Sequence, residues 1–127
     1  MIQVGNGTKI LDSKMCFDLW NKHKTLKRVQ QELLRQGYHG AKSEDKPPTE
    51  KTISDSAWRY VVENPVEARE EMERHGIVME DREWYESMIR RATYILGTSR
   101  RRFEEWIKKN NLEQYEYVYQ RRMGTFD

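Results

Sequence analysis

Three consecutive arginines, Arg100, Arg101 and Arg102, form the stretch of this chain whose residue types most clearly point to chemistry. A guanidinium is always charged and presents a planar fork of donors, so it grips planar or phosphate anions two bonds at a time. Other reactive types are present but poorly arranged. Gly5-Asn6-Gly7-Thr8-Lys9 has the flavour of a phosphate loop, yet lacks the spacing between glycines and lysine that cradles a triphosphate. Cys16 falls on an apolar helix face with no histidine near it, which reads as a buried thiol rather than a nucleophile. His23, His39 and His75 are far apart, each beside polar residues; they read as exposed and make a poor metal set. No Ser/His/Asp set or pair of carboxylates stands out among the many surface-spaced acids. No catalytic residue, metal or cofactor is expected, and the chain reads as non-enzymatic, with no small-molecule substrate indicated.

The elements that must position the arginines are helices. Phe103, Trp106 and Ile107 recur at helical spacing behind the arginines, in a helix started by Thr98 or Ser99. Before it, Asp81 opens a helix through Trp84, Met88, Ile89, Ala92 and Leu96 that ends at Gly97. Further upstream, Asp12 or Ser13 caps a first helix carrying Met15, Phe17, Leu19 and Trp20. Thr25 caps a second, with Leu26, Val29, Leu33 and Leu34 on one face and Gly37 at its end. After a polar loop from Tyr38 to Pro48, Thr49 caps a third helix carrying Ile53, Ala57, Trp58, Tyr60 and Val61. Asn64-Pro65-Val66-Glu67 is a strong start for a short fourth helix closed by Gly76. Asn111, with Gln114 three residues on, starts a seventh that carries Leu112, Tyr115, Val118 and Tyr119. At the N-terminus, Ile2 to Ile10 around Asn6-Gly7 reads as a small β-hairpin leaning on the helical body.

The expected fold is therefore mainly α, with about seven short helices and an N-terminal hairpin. Its parts are the hairpin over 1–11, a first helical unit over 12–64, an acidic connector helix over 65–80, and a second helical unit over 81–127. A chain of 127 residues can bury one real core, though 35% charged residues against 36% apolar ones make it lean. Four Trp and seven Tyr add buriable surface. No apolar run reaches the roughly 18 residues a membrane span needs. Neither a secretory signal nor a disulfide is indicated, so a soluble, cytoplasmic protein is expected. The formal net charge of +2 is a cancellation. Residues 14–46 carry eight basic side chains against four acidic, 63–86 carry nine acids against three arginines, and 90–109 carry seven basic against two acidic.

The segment Ala92 to Trp106 resembles the helix-turn-helix of prokaryotic and phage DNA-binding proteins. In that family a small residue on the first helix lets the pair approach, matched by Ala92 and Thr93. An apolar residue then precedes a turn glycine, matched by Leu96 and Gly97, and two buried positions follow, matched by Phe103 and Trp106. Thr98 departs from the pattern, standing where an apolar residue is usual. The resemblance implies that Ser99, Arg100, Arg101 and Arg102 lie at the end of a recognition helix that enters the major groove. Arginine there can bond guanine O6 and N7 as a fork, and serine with the helix N-terminus can hold a phosphate.

Residues 26–65 bear a looser resemblance to the helix-turn-helix region of the large serine recombinases. The shared features are an apolar helix ending in glycine, a loop, and a further helix closing with Asn64-Pro65. This places Lys51, Thr52, Asp55, Ser56 and Arg59 on the exposed face of the second helix, while the recombinase catalytic domain has no room in this chain. The expectation is thus one or two helix-turn-helix units binding double-stranded DNA, as a small regulator of transcription or a phage protein would. Two half-sites would call for a homo-oligomer or for both motifs in tandem. The competing expectation is an assembly or interaction adaptor, with the helical hairpins as scaffold and the aromatic C-terminus as contact surface. RNA is a third partner class, without an aromatic-bearing sheet to support it.

Overall fold

A computed structural model describes residues 11–40, 45–96 and 100–115 of the chain. Among them the chain is mainly helical: α1 (Ser13–His23), α2 (Leu26–Arg35), α3 (Glu50–Glu63), α4 (Pro65–Arg74), α5 (Asp81–Ile95) and α6 (Arg100–Lys109), then a 3-10 turn at Glu113–Tyr115. The hairpin expected over 1–11 lies, but for its last residue, outside the described residues. So do Gly97, Thr98, Ser99, Val118 and Tyr119. The seventh α-helix expected from Asn111 is corrected as far as the described residues go: the segment forms that single 3-10 turn. Asn111 takes φ 57° and closes α6 instead of capping a new helix.

Side-chain caps fix three helix starts. Asp12 accepts from the Met15 amide at 3.1 Å, Thr25 from Arg28 at 3.3 Å, and Thr49 from Thr52 at 3.2 Å. Asn64 behaves differently. Its side chain makes no bond to the first turn of α4 but donates back to the Tyr60 carbonyl at 3.2 Å, so it finishes α3 while Pro65 begins α4.

Three helix ends share one closure, in which a residue of positive φ turns the chain and the next amide reaches back to the last turn. At α2, Gly37 (φ 94°) turns and the Tyr38 amide bonds the Leu33 carbonyl at 2.8 Å. At α4, Gly76 (φ 80°) turns and Ile77 bonds Met72 at 2.9 Å. At α6, Asn111 turns and Leu112 bonds Ile107 at 2.9 Å, with both of those side chains buried. The α1 end uses Lys24 at φ 70°, whose amide bonds the Trp20 carbonyl at 2.8 Å. Its Nζ donates to the His75 carbonyl at the end of α4, at 2.6 Å.

The chain divides into two compact units, Met1–Ile77 and Val78–Asp127. In the first, α1 lies along α3, α2 packs on both, and α4 packs on α3. The segment 65–80, expected as a connector, is thus split: α4 belongs to the first unit and the division falls after Ile77. Cys16 and Phe17 of α1, Val29 and Leu33 of α2, Ile53, Ala57, Val61 and Val62 of α3, and Ala68 of α4 are buried. The Phe17 and Tyr60 rings meet at 4.9 Å between centroids. The Gln30 amide donates to the Pro48 carbonyl at 3.0 Å, tying α2 to the approach to α3. In the second unit the buried set is Trp84, Met88, Ile89 and Ala92 of α5, Phe103, Trp106 and Ile107 of α6, and Leu112, with the 3-10 turn resting on α5.

The histidines differ from expectation. All three are half-buried rather than exposed, because each lies at a helix end or loop that folds back on the body. His39 Nδ1 lies 2.8 Å from the Gly40 carbonyl, and His75 Nε2 lies 3.1 Å from Glu71. His23 Nε2 is buried without a hydrogen-bond partner.

Candidate nucleic-acid interface

In the second unit, α5 and α6 carry the residues of the suspected helix-turn-helix. Ala92 and Thr93 are both buried, and the Thr93 hydroxyl donates to the Arg90 carbonyl at 2.7 Å. Phe103 and Trp106 are buried one helical turn apart on α6, their ring centroids 5.8 Å apart. This inward side leaves Arg101, Arg102, Glu105, Lys108 and Lys109 exposed. The turn residues Gly97 and Ser99 lie outside the described residues, and Arg100 is the first residue of α6.

Arg101 stands with 90% of its side chain exposed and its Nε 3.2 Å from Glu105. An ion pair this exposed holds little, on the order of 0.2–1 kcal/mol, so a phosphate competes readily for the guanidinium. Lys108 and Lys109 make no ion pair or hydrogen bond among the described residues. On α5, Arg91 and Tyr94 are exposed near the C-terminal end, while Arg82 and Arg90 both reach Glu86, at 2.8 and 3.5 Å. Arg101, Glu104, Glu105 and Lys108 line an open surface recess. Among the described residues, no group of three or more His, Cys, Asp and Glu side chains could hold a metal ion.

The first unit places its expected residues less favourably. Lys51 and Thr52 are exposed on the first turn of α3, but Lys51 is held by Asp55 at 2.8 Å and the Thr52 hydroxyl accepts from Thr49 at 2.9 Å. Ser56 is half-buried rather than exposed. Burial pushes the Cys16 thiol up, against an opposing pull from Ser56. Arg59 is exposed and makes no ion pair among the described residues. The outward row Lys51, Asp55, Arg59, Glu63, spaced every fourth residue, alternates in sign and carries no net charge.

The exposed cations that this reading missed lie one helix earlier. Lys22 at the end of α1, Lys24 in the turn, and Lys27, Arg28 and Arg35 on α2 are all exposed. A visible signal marked them: Lys22-His23-Lys24-Thr25-Leu26-Lys27-Arg28 contains no acid. On α2 the single acid, Glu32, is occupied by Arg35 and the Gln36 amide, which hold its carboxyl down at about 2. No family model, curated protein or solved structure matches this chain.

Proposed function

We propose that the chain is a non-enzymatic protein that binds double-stranded DNA through α6. The observation that carries this reading is the two-sidedness of that helix. Phe103, Trp106 and Ile107 are buried, while Arg101 and Arg102 are exposed on the first turn. A helix anchored by aromatic side chains and offering arginines at its leading end suits a major groove, where the guanidinium forks meet guanine edges or phosphates. Lys108 and Lys109, about two turns on, supply further phosphate contacts, and Tyr94 is exposed on α5. Within this reading a homo-oligomer would provide two half-sites.

Fluorescence-anisotropy binding to a mixed-sequence duplex at several salt concentrations tests the reading. The Arg100/Arg101/Arg102→Ala variant should keep its helical circular dichroism and bind more weakly. Its log–log salt slope should fall by about 2.7, the release of roughly three counterions. A wild-type chain that shows no affinity for duplex at low salt refutes the reading and leaves the adaptor class, read by concentration-dependent mass.

A further inference from the structure

We propose that the first unit meets duplex DNA through the outward face of α2 and the turn before it, not through α3. Lys22, Lys27 and Arg28 would serve as phosphate contacts, with Gln31 as the amide that can pair with adenine. The inference rests on the reading of the chain as a duplex binder, and it names a second contact surface for the same partner.

The face is defined by packing. Val29 and Leu33 are fully buried on one side of α2. Lys27, Arg28, Gln31 and Arg35 are exposed on the other, falling within about a third of the helix circumference at 3.6 residues per turn. Lys22 stands on the last turn of α1, and only Lys24 and Thr25 separate the two helices. Lys24 is committed elsewhere, to the His75 carbonyl.

Charge decides between α2 and α3. Lys22, Lys27 and Arg28 make no ion pair or hydrogen bond through their side chains among the described residues. Glu32, the acid that would otherwise offset them, is turned to Arg35 and Gln36. The α3 face holds a lysine paired with Asp55 and an arginine four residues before Glu63, and sums to zero. A polyanion of regular charge spacing is attracted to the first surface and gains nothing net from the second. Gln31 lies between the cations on α2, where a bidentate amide can bond adenine N6 and N7.

The test compares two variants of the full chain on the same mixed-sequence duplex. Lys22→Ala/Lys27→Ala/Arg28→Ala should lower the log–log salt slope by about 2.7. Between about 50 and 200 mM salt, wild-type affinity should then fall about 40-fold more than the variant's. Lys51→Ala/Arg59→Ala should bind with the wild-type slope. All five positions are exposed, and an unchanged circular-dichroism melt confirms that each variant is folded. A triple variant with the wild-type slope overturns the inference while leaving the α6 reading in place. Loss of slope in the α3 variant alone overturns it in favour of α3. Stronger binding of a hairpin RNA than of the duplex, lost in the triple variant, overturns the assignment to DNA. A wild-type chain that binds no duplex overturns both this inference and the reading beneath it.

Discussion

Truncating Phe103 to alanine would separate the α6 anchor from its arginines. The side chain is 2% exposed and stacks obliquely on Trp106 at 5.8 Å between ring centroids. Phe→Ala at a closed position costs about 3–5 kcal/mol, and loss of an aromatic partner adds about 0.5–1.5 kcal/mol. The second unit spans fifty residues. At roughly 0.05–0.15 kcal/mol per residue, its whole stability is about 2.5–7.5 kcal/mol, so the substitution removes most or all of it. The assay is amide hydrogen exchange read by NMR. Protection across Trp84–Ala92 and Phe103–Ile107 should fall by two orders of magnitude or more in Phe103→Ala, at about 1.4 kcal/mol per tenfold. Phe103→Leu, which keeps most of the buried volume, should lose about 1–1.5 kcal/mol and remain protected. Wild-type protection of α5 and α6 in Phe103→Ala would refute the claim that this ring anchors the helix. The arginines would then lack the fixed platform that groove binding requires.

Two further outcomes follow from the helix ends and from Glu32. Gly76→Ala should destabilise the first unit by about 1–2 kcal/mol although nothing lies within 4 Å of the added carbon, because the cost is the left-handed backbone at φ 80°. Thermal denaturation should show a midpoint lower by roughly 4–8 °C per kcal/mol, and an unchanged midpoint would place the strain elsewhere. The Glu32 carboxyl, held down at about 2 by Arg35 and Gln36, should titrate there in a side-chain carbon NMR experiment. A carboxyl lowered by folding contributes stability above its unfolded range, and loses it as pH falls toward that value. In Arg35→Ala the midpoint should rise toward the ordinary carboxylate range; an unmoved midpoint would mean Arg35 is not the cause.

The helices were legible where one residue carries one strong local preference. Thr25 and Thr49 cap as their positions demand, Gly37 and Gly76 turn the chain, and Pro65 opens α4. Asn64 stands where it was read, between the end of α3 and the start of α4, but its amide bonds only backward, to the Tyr60 carbonyl. Asn111 was read in the wrong direction: it could open a helix or end one, and burial of Leu112 beside Ile107 favoured the ending. The candidate surface shows the same division. Phe103 and Trp106 announce an inward side by spacing, which leaves the arginines outward. In the first unit, spacing alone could not show that Ser56 is half-buried or that Lys51 bonds Asp55. Counting charge over the whole of 14–46 diluted the acid-free run at Lys22–Arg28 and hid the helix that carries it.

The bond from Lys24 to the His75 carbonyl has a consequence for the order in which the first unit assembles. Lys24 adopts a left-handed backbone that a side-chain-bearing residue takes at a cost of about 1–2 kcal/mol, and its fixing partner lies 51 residues further along the chain. The turn between α1 and α2 is therefore tied to the last helix of the unit. As the chain is synthesised, α1, α2 and α3 can pack early, but the Lys24 side chain meets its partner only when the end of α4 has emerged and docked. Amides around Lys24 and His75 should accordingly gain protection together and late, in a step that joins the two ends of the unit in time as well as in space.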